Sequence, residues 1–168
     1  MEWIDVYDAK KRLTGQRRRR EERSLPGEYH LTTFAILVNS ENKILLTLRD
    51  PHKRIYPNVW GHTGGAVQAG ENSRQAIVRE VFEETGIRAK QEEFVFLWTD
   101  VNHARCSFTD LYLLHTDTLL ENIRLQPGET VDARWVTFAE FEELMAHNAI
   151  APPDTARWEQ IKAAITKA

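Results

Sequence analysis

The sequence predicts an α/β/α sandwich. Three observations carry that expectation. Short runs rich in β-branched and aromatic residues recur between turn residues. One amphipathic helical stretch interrupts them at about residues 73–85. Two further helical stretches close the chain. Strands flanked by a middle helix and late helices bury their apolar faces as stacked layers. Residues 1–28 read as an N-terminal strand or hairpin extension, and 29–168 as one globular unit.

Residues 3–7 read as a short strand, with Thr14-Gly15 as the turn that returns it as a hairpin. Arg17 to Arg20, then Glu21, Glu22 and Arg23, form a mixed charge run. It reads as a solvated edge or loop. The alternative is a contact with a phosphate-rich substrate, which the adjacent acids weaken. Pro26-Gly27 breaks the chain before a strand at 29–38, and Asn39-Ser40-Glu41-Asn42 turns it into a second at 43–49. Residues 50–61, with Pro51, Pro57 and Gly61, read as loop, and 62–64 as a short strand feeding a glycine turn. Strands are expected at 93–99, 107–116 and 131–136. Thr137 and Glu140 have the spacing of a capping box opening a helix to about 147. Pro152-Pro153 stop the chain before a final helix from Asp154 to about Lys167.

Composition excludes several classes. A chain of 168 residues with 42% hydrophobic and 28% charged residues suits one domain with a real core. A net charge of −3 gives no global attraction to nucleic acid or an acidic membrane. Cys106 is the only cysteine, so no intrachain disulfide forms and a cytoplasmic location is expected. The N-terminal residues lack the pattern of a secretory signal, and no stretch is apolar enough to span a bilayer.

The middle helix carries the chemistry. Ile77, Val78, Val81 and Phe82 cover one broad apolar arc at about 100° per residue. Glu80, Glu83 and Glu84 share the neighbouring arc. Like charges at such spacings each cost about 0.2–0.5 kcal/mol of helix stability. A cation relieves that cost, and hard oxygen ligands suit Mg²⁺ or Mn²⁺. Arg79 and Glu83, four residues apart, are spaced to pair, and Gly86 is a C-cap candidate. Gly64 and Gly65 leave room for close backbone approach. In the flanking loops, Arg49, Lys53 and Arg54 read as solvated cations or as contacts to an anionic substrate. Trp60 is a candidate to stack on a base, although a packing role competes with it. Trp3, Trp98, Trp135 and Trp158 read as packing residues, and His30 and His62 as structural histidines.

Gly65, Glu71, Arg79, Glu80, Glu83, Glu84 and Gly86, with Val81 and Ile87 at the apolar positions, fill the spaced signature of the Nudix hydrolases. The resemblance implies the Nudix α/β/α sandwich with a mixed central sheet. It implies hydrolysis of a diphosphate linked to another group, typically a nucleoside, with Mg²⁺ or Mn²⁺ as cofactor. By resemblance, Glu80, Glu83 and Glu84 hold metal, the Gly64 carbonyl is a further ligand, and Glu80 is a candidate general base. Arg79 orients the carboxylates, and Glu71 holds the loop onto the helix. Some relatives place a further metal-binding or base carboxylate near Glu129, which reads equally as a surface residue; Asp110 is a weaker candidate.

Outside the signature, the Trp3 segment, Thr14-Gly15, His30, Arg49 and Pro57-Asn58-Val59-Trp60 resemble the branch containing isopentenyl-diphosphate isomerase. The isomerase's own residues are missing. Gly64 and Ala66 stand where it has a cysteine and a metal-binding histidine. Its second histidine falls near Arg23, and its paired glutamates fall near Phe108 and Asp110. Hydrolysis is therefore expected over isomerisation, over a nucleotide-sensing module without catalysis, and over cleavage of an RNA 5′ end. The expected partner is a small diphosphate substrate, and an exposed N-terminal strand offers an edge for a homodimer.

Overall fold

The computed structural model describes residues 2–22 and 24–167. Nine strands are described: β1 (Trp3–Tyr7), β2 (Leu13–Arg19), β3 (His30–Val38), β4 (Ile44–Arg49), β5 (Trp60–Gly61), β6 (Thr63–Ala66), β7 (Val95–Asn102), β8 (Ser107–His115) and β9 (Thr130–Val136). The helices are α1 (Ser73–Thr85), α2 (Phe138–Ala146) and α3 (Pro152–Lys167). Seven strands form one sheet with the central order β5-β4-β3-β8-β7, in which β6 also pairs with β3 and β9 with β4. β3 and β8 run parallel while their other neighbours run antiparallel. The central sheet is thus mixed, as expected.

The strand β3 shows why the sheet carries helices on both faces. Alternate residues point to opposite faces of a strand, and here both sets are apolar. Ala35 and Leu37 pack with Ile77 and Val81 of α1 and with Phe94, Tyr112 and Leu114. Ile36 and Val38 pack on the other face with Phe141 of α2 and Trp158, Ile161 and Ile165 of α3. Trp158 stacks on Phe141 with ring centroids 4.1 Å apart. The α/β/α layering follows from those two faces.

Caps fix the helix ends. Asn72 and Gln75 form a reciprocal capping box at the start of α1, which the sequence reading missed. The expected Thr137–Glu140 box opens α2. Gly86 closes α1 in a left-handed conformation at φ 74°, its N–H bonded to the Phe82 carbonyl. Pro152 and Pro153 lie inside the first turn of α3, where a missing N–H costs nothing, so they start that helix instead of preceding it.

Four expectations need correction. The hairpin turn lies at Asp8–Arg12, where Asp8 accepts from the backbone N–H of Lys10 and Arg12 and Lys11 takes φ 60°; Gly15 sits inside β2. Of the charge run, Arg17–Arg19 belong to a strand, with Asp5 paired to Arg17, Ile4 to Arg18 and Trp3 to Arg19, while Arg20–Glu22 form an exposed turn. Arg18 is buried, bonding Ser24 and lying 3.5 Å from His30 Nδ1. Phe82 is exposed, with the Arg88 guanidinium over its ring; the α1 apolar face is filled by Ala76, Ile77 and Val81 instead. Trp3 is likewise exposed, not packed. The position expected nearest the isomerase's second histidine, Arg23, lies outside the described residues.

The hairpin β1–β2 forms its own two-stranded sheet. Tyr7 and Tyr29 exchange backbone hydrogen bonds of 2.8 Å, and both pack with Leu31, Val67, Ala76 and Phe108. Lys11 reaches from the turn to pair with Asp110, which also accepts from Thr99. The extension is therefore bound to the sheet where β1 ends and at the turn that follows it.

Candidate active site

The strand β6, the loop at 67–72 and the helix α1 bring the signature residues together. Arg79 is the hub. Its Nε and Nη2 donate to the two carboxylate oxygens of Glu71 at 2.9 and 2.8 Å. Nη2 also donates to the Ala66 carbonyl at 3.1 Å. Nη1 donates to Glu80 at 2.8 Å and to Glu83 at 3.2 Å. Glu71 in turn accepts from the backbone N–H of Gln68 at 3.1 Å. The Arg79 bond holds the Glu71 carboxyl below its ordinary value, against the opposing effect of burial. Glu71 therefore joins the backbone at Gln68 to Arg79 of the helix.

The three acids are not alike. Glu80 and Glu84 are buried, whereas Glu83 is exposed. Burial pushes the Glu80 carboxyl up, opposed by Arg79. Burial pushes Glu84 up to about 8, with Glu80 and Glu129 adding to the rise and the Gly64 N–H opposing it. Gly64 N donates to Glu84 at 3.2 Å. Burial outweighs the positive charge that Arg79 and Arg20 bring to Glu80 and that Arg49 brings to Glu84. Among the described residues, no three carboxylate, histidine or cysteine groups are drawn close enough to hold a metal ion as they stand. Arg79 takes one oxygen each of Glu80 and Glu83, and Gly64 N–H one oxygen of Glu84.

The glycines are required by space. A Cβ at Gly65 would lie 2.6 Å from the Glu80 carboxyl carbon. A Cβ at Gly64, where φ is 156°, would lie 2.1 Å from the Thr33 carbonyl oxygen. β6 thus runs between β3 and the acidic face of α1 with room only for bare backbone.

The flanking candidates form a second group. Arg49 donates to the carbonyls of Ile55 and Tyr56, at 2.9 Å and 3.0 Å, and fixes the loop at 50–58. Its charge also acts on Glu84. Lys53 pairs with Glu129, and Asp50 N bonds the Glu129 carbonyl at 2.9 Å. A residue expected to meet substrate and one expected to meet metal therefore neutralise each other. Arg54 is exposed. Trp60 is half-buried, packs against the α2–α3 core and has Arg134 over its ring at 4.3 Å. His62 is buried against Phe141. Asp110 is taken up by Lys11 and Thr99, and Phe108 by the core.

Arg20, just past β2, belongs to the run expected to be solvated, with a phosphate-rich substrate as the weaker alternative. Its Nη1 donates to Glu2 at 2.6 Å, and its charge acts on Glu80 and Glu129. Only the pairing of β1 with β2 and their seating on the loop at 68–70 bring it there, and a linear charge run carries no such signal.

A NUDIX domain profile matches residues 28–157. The chain belongs to the Nudix family. Its family hydrolyses pyrophosphate bonds, and this chain is a Nudix hydrolase. It is 33% identical to an uncharacterised Nudix hydrolase of Listeria monocytogenes, over 90% of this chain and 89% of the relative. It is 26% identical to an isopentenyl-diphosphate Delta-isomerase of Paenarthrobacter aurescens, over 73% of this chain and 68% of that protein. The fold matches the crystal structure of a Deinococcus radiodurans protein with a TM-score of 0.77 at 23% identity, covering 94% of this Nudix chain and 96% of that one. It also matches the Nudix domain of NrtR from Shewanella oneidensis, solved with ADP ribose, with a TM-score of 0.57 at 22% identity, over 68% of this chain and 77% of that domain. Nudix hydrolases generally use divalent metal ions. No helix among the described residues is long and apolar enough to cross a membrane.

Proposed function

We propose that this Nudix hydrolase cleaves, with Mg²⁺ or Mn²⁺, the phosphoanhydride bond of a nucleoside diphosphate joined to another group. The observation that carries the reading is the pair Glu80–Glu84, buried together against Gly64 and Gly65, with burial raising both carboxyls despite the arginines that act on them. Oxygen donors in that setting fit a hard divalent cation. Glu80, Glu83, Glu84 and the Gly64 carbonyl would hold it, with Glu129 within electrostatic reach of Glu84. A bound cation neutralises the diphosphate's charge and acidifies water. In the reaction, water oxygen bonds to phosphorus, the bridging P–O bond breaks, and two phosphate-ended products leave. Glu80, whose carboxyl burial has raised, accepts the proton of the attacking water. Arg79 orients Glu80 and Glu83. Lys53, at the rim, faces substrate phosphates, and Arg49 holds the loop that carries it. Trp60 enters this reading as packing, since Arg134 already lies over its ring.

ADP-ribose, bound by the NrtR relative, heads the substrates to test. Hydrolysis is favoured over isomerisation because Gly64 and Ala66 offer no cysteine or histidine at the isomerase positions. The test is a panel of diphosphate compounds, isopentenyl diphosphate included, with Mg²⁺ and Mn²⁺. Phosphate-ended products are expected, lost in Glu83→Gln, which alters an exposed side chain. Full turnover by Glu83→Gln, or allylic product without hydrolysis, would overturn the reading.

A further inference from the structure

The N-terminal hairpin is pinned to the loop that precedes the acidic helix. Ala69 N donates to the Trp3 carbonyl at 2.8 Å, and Gly70 N donates to Asp5 Oδ2 at 2.7 Å. Glu2 then bridges the two elements. Its Oε1 accepts from Gln68 Nε2 at 3.0 Å, and its Oε2 accepts from Arg20 Nη1 at 2.6 Å. Backbone bonding of Arg20 N to the Glu2 carbonyl, at 3.0 Å, sets the start of the side chain. One hydrogen-bonded path thus runs from Arg20 through Glu2, Gln68 and Glu71 to Arg79 and its acids. Arg20 is exposed, and among the described residues its Nε and Nη2 have no protein acceptor.

That placement is costly for one ligand and useful for another. Arg20 acts electrostatically on Glu80 and on Glu129, acids carried by separate elements around the site. A fixed positive charge there repels a cation arriving at the acids. It attracts the anionic oxygens of a diphosphate laid over them, and a guanidinium with two free donors suits phosphate geometry. We propose that Arg20, delivered by the N-terminal hairpin, binds a phosphoryl group of the substrate. The hairpin is then a wall of the active site instead of an appendage. This rests on the diphosphate-hydrolase reading.

Two binding measurements with opposite expected signs test it. Inorganic pyrophosphate is titrated calorimetrically into metal-free protein, and Mn²⁺ is titrated alone at the same ionic strength. In Arg20→Gln, pyrophosphate binding weakens about tenfold through loss of a charge-assisted contact. Mn²⁺ binding tightens about threefold through loss of a competing charge. KM for the cleaved diphosphate rises about tenfold with kcat within about twofold, and Arg20→Lys recovers part of the loss. Glu2→Gln, which keeps the arginine charge but loosens its pin, weakens pyrophosphate less than Arg20→Gln does. Both ligands unchanged, or both weakened together in Arg20→Gln, would make Arg20 only a structural pin. Loss of pyrophosphate in Glu2→Gln equal to that in Arg20→Gln would do the same. If the wild-type protein hydrolyses no diphosphate, the proposed function fails while these two titrations still decide the role of Arg20.

Discussion

Arg79 grips both oxygens of Glu71, at 2.9 and 2.8 Å, while its remaining nitrogen reaches Glu80 and Glu83. A lysine offers one point charge and cannot reproduce that fork. Glu71→Gln should destabilise the fold by about 2 kcal/mol in urea unfolding, since a half-buried cation loses its main partner. The pH dependence has a definite sign. The folded Glu71 carboxyl lies below its ordinary value of 4.5. Its stabilisation is therefore present above about pH 4.5 and is lost as pH falls through the lower folded value. Glu71→Gln should flatten that acid limb, and an unchanged acid limb would contradict the pairing.

Gly64 and Gly65 should fail differently when replaced by alanine. At Gly64 the new methyl meets backbone, the Thr33 carbonyl of the adjacent strand, at 2.1 Å. Gly64→Ala should therefore unpair β6 from β3 and lower the melting temperature strongly. At Gly65 it meets the movable Glu80 carboxyl at 2.6 Å. Gly65→Ala should push Glu80 aside, cost about 1–3 kcal/mol, and reduce turnover by a larger factor than the stability loss explains. Equal damage in both variants, measured by calorimetry beside an activity assay, would refute the distinction.

Lys53 and Glu129 join two loops at the rim, and their side chains are 24% and 37% exposed. An ion pair so exposed contributes about 0–1 kcal/mol. Lys53→Gln should therefore leave the urea midpoint nearly unchanged while raising KM for the diphosphate. A shifted midpoint with unaltered KM would assign Lys53 to loop closure alone.

Local signals were legible in the sequence where one element's own chemistry decides the outcome. The bounds of α1, the Thr137 cap and Gly86 follow from spacing and cap chemistry within a few residues. The order of strands, one middle helix and two late helices likewise announces a sheet covered by helices. What failed depends on partners distant in sequence. Phe82 fits the apolar arc of α1, yet the sheet is met by Ala76, Ile77 and Val81, so Phe82 is left to Arg88. The turn at Asp8–Arg12 outcompetes Thr14-Gly15 because Asp8 caps it with side-chain acceptors and Lys11 takes a left-handed conformation. The acids of α1 were legible as a cluster, but their different burial was not. Glu80 and Glu84 go under because β6 and its glycines pass over them. Arg20 and the Lys53–Glu129 pair arise from contacts spanning 18 and 76 positions, beyond any local pattern.

Glu84 makes the metal-free protein sensitive to alkali. Burial and the neighbouring acids Glu80 and Glu129 raise its carboxyl from 4.5 to about 8, while the Gly64 N–H and Arg49 oppose the rise. In the unfolded chain the proton leaves near the ordinary value, so the unfolded state binds fewer protons through this window. Stability is therefore full below about pH 4.5 and declines as pH rises to about 8, above which this group adds no further loss. In a chelator, the melting temperature should fall across that interval. Glu84→Gln cannot ionise and can keep the Gly64 N–H bond, so its profile should be flatter. Mg²⁺ or Mn²⁺ should restore the wild-type protein most at the alkaline end, where the carboxylate is charged and the ion has most to offset. A wild-type profile as flat as that of Glu84→Gln, or equal stabilisation by the ion in both proteins, would remove Glu84 from the metal site and leave its burial as packing alone.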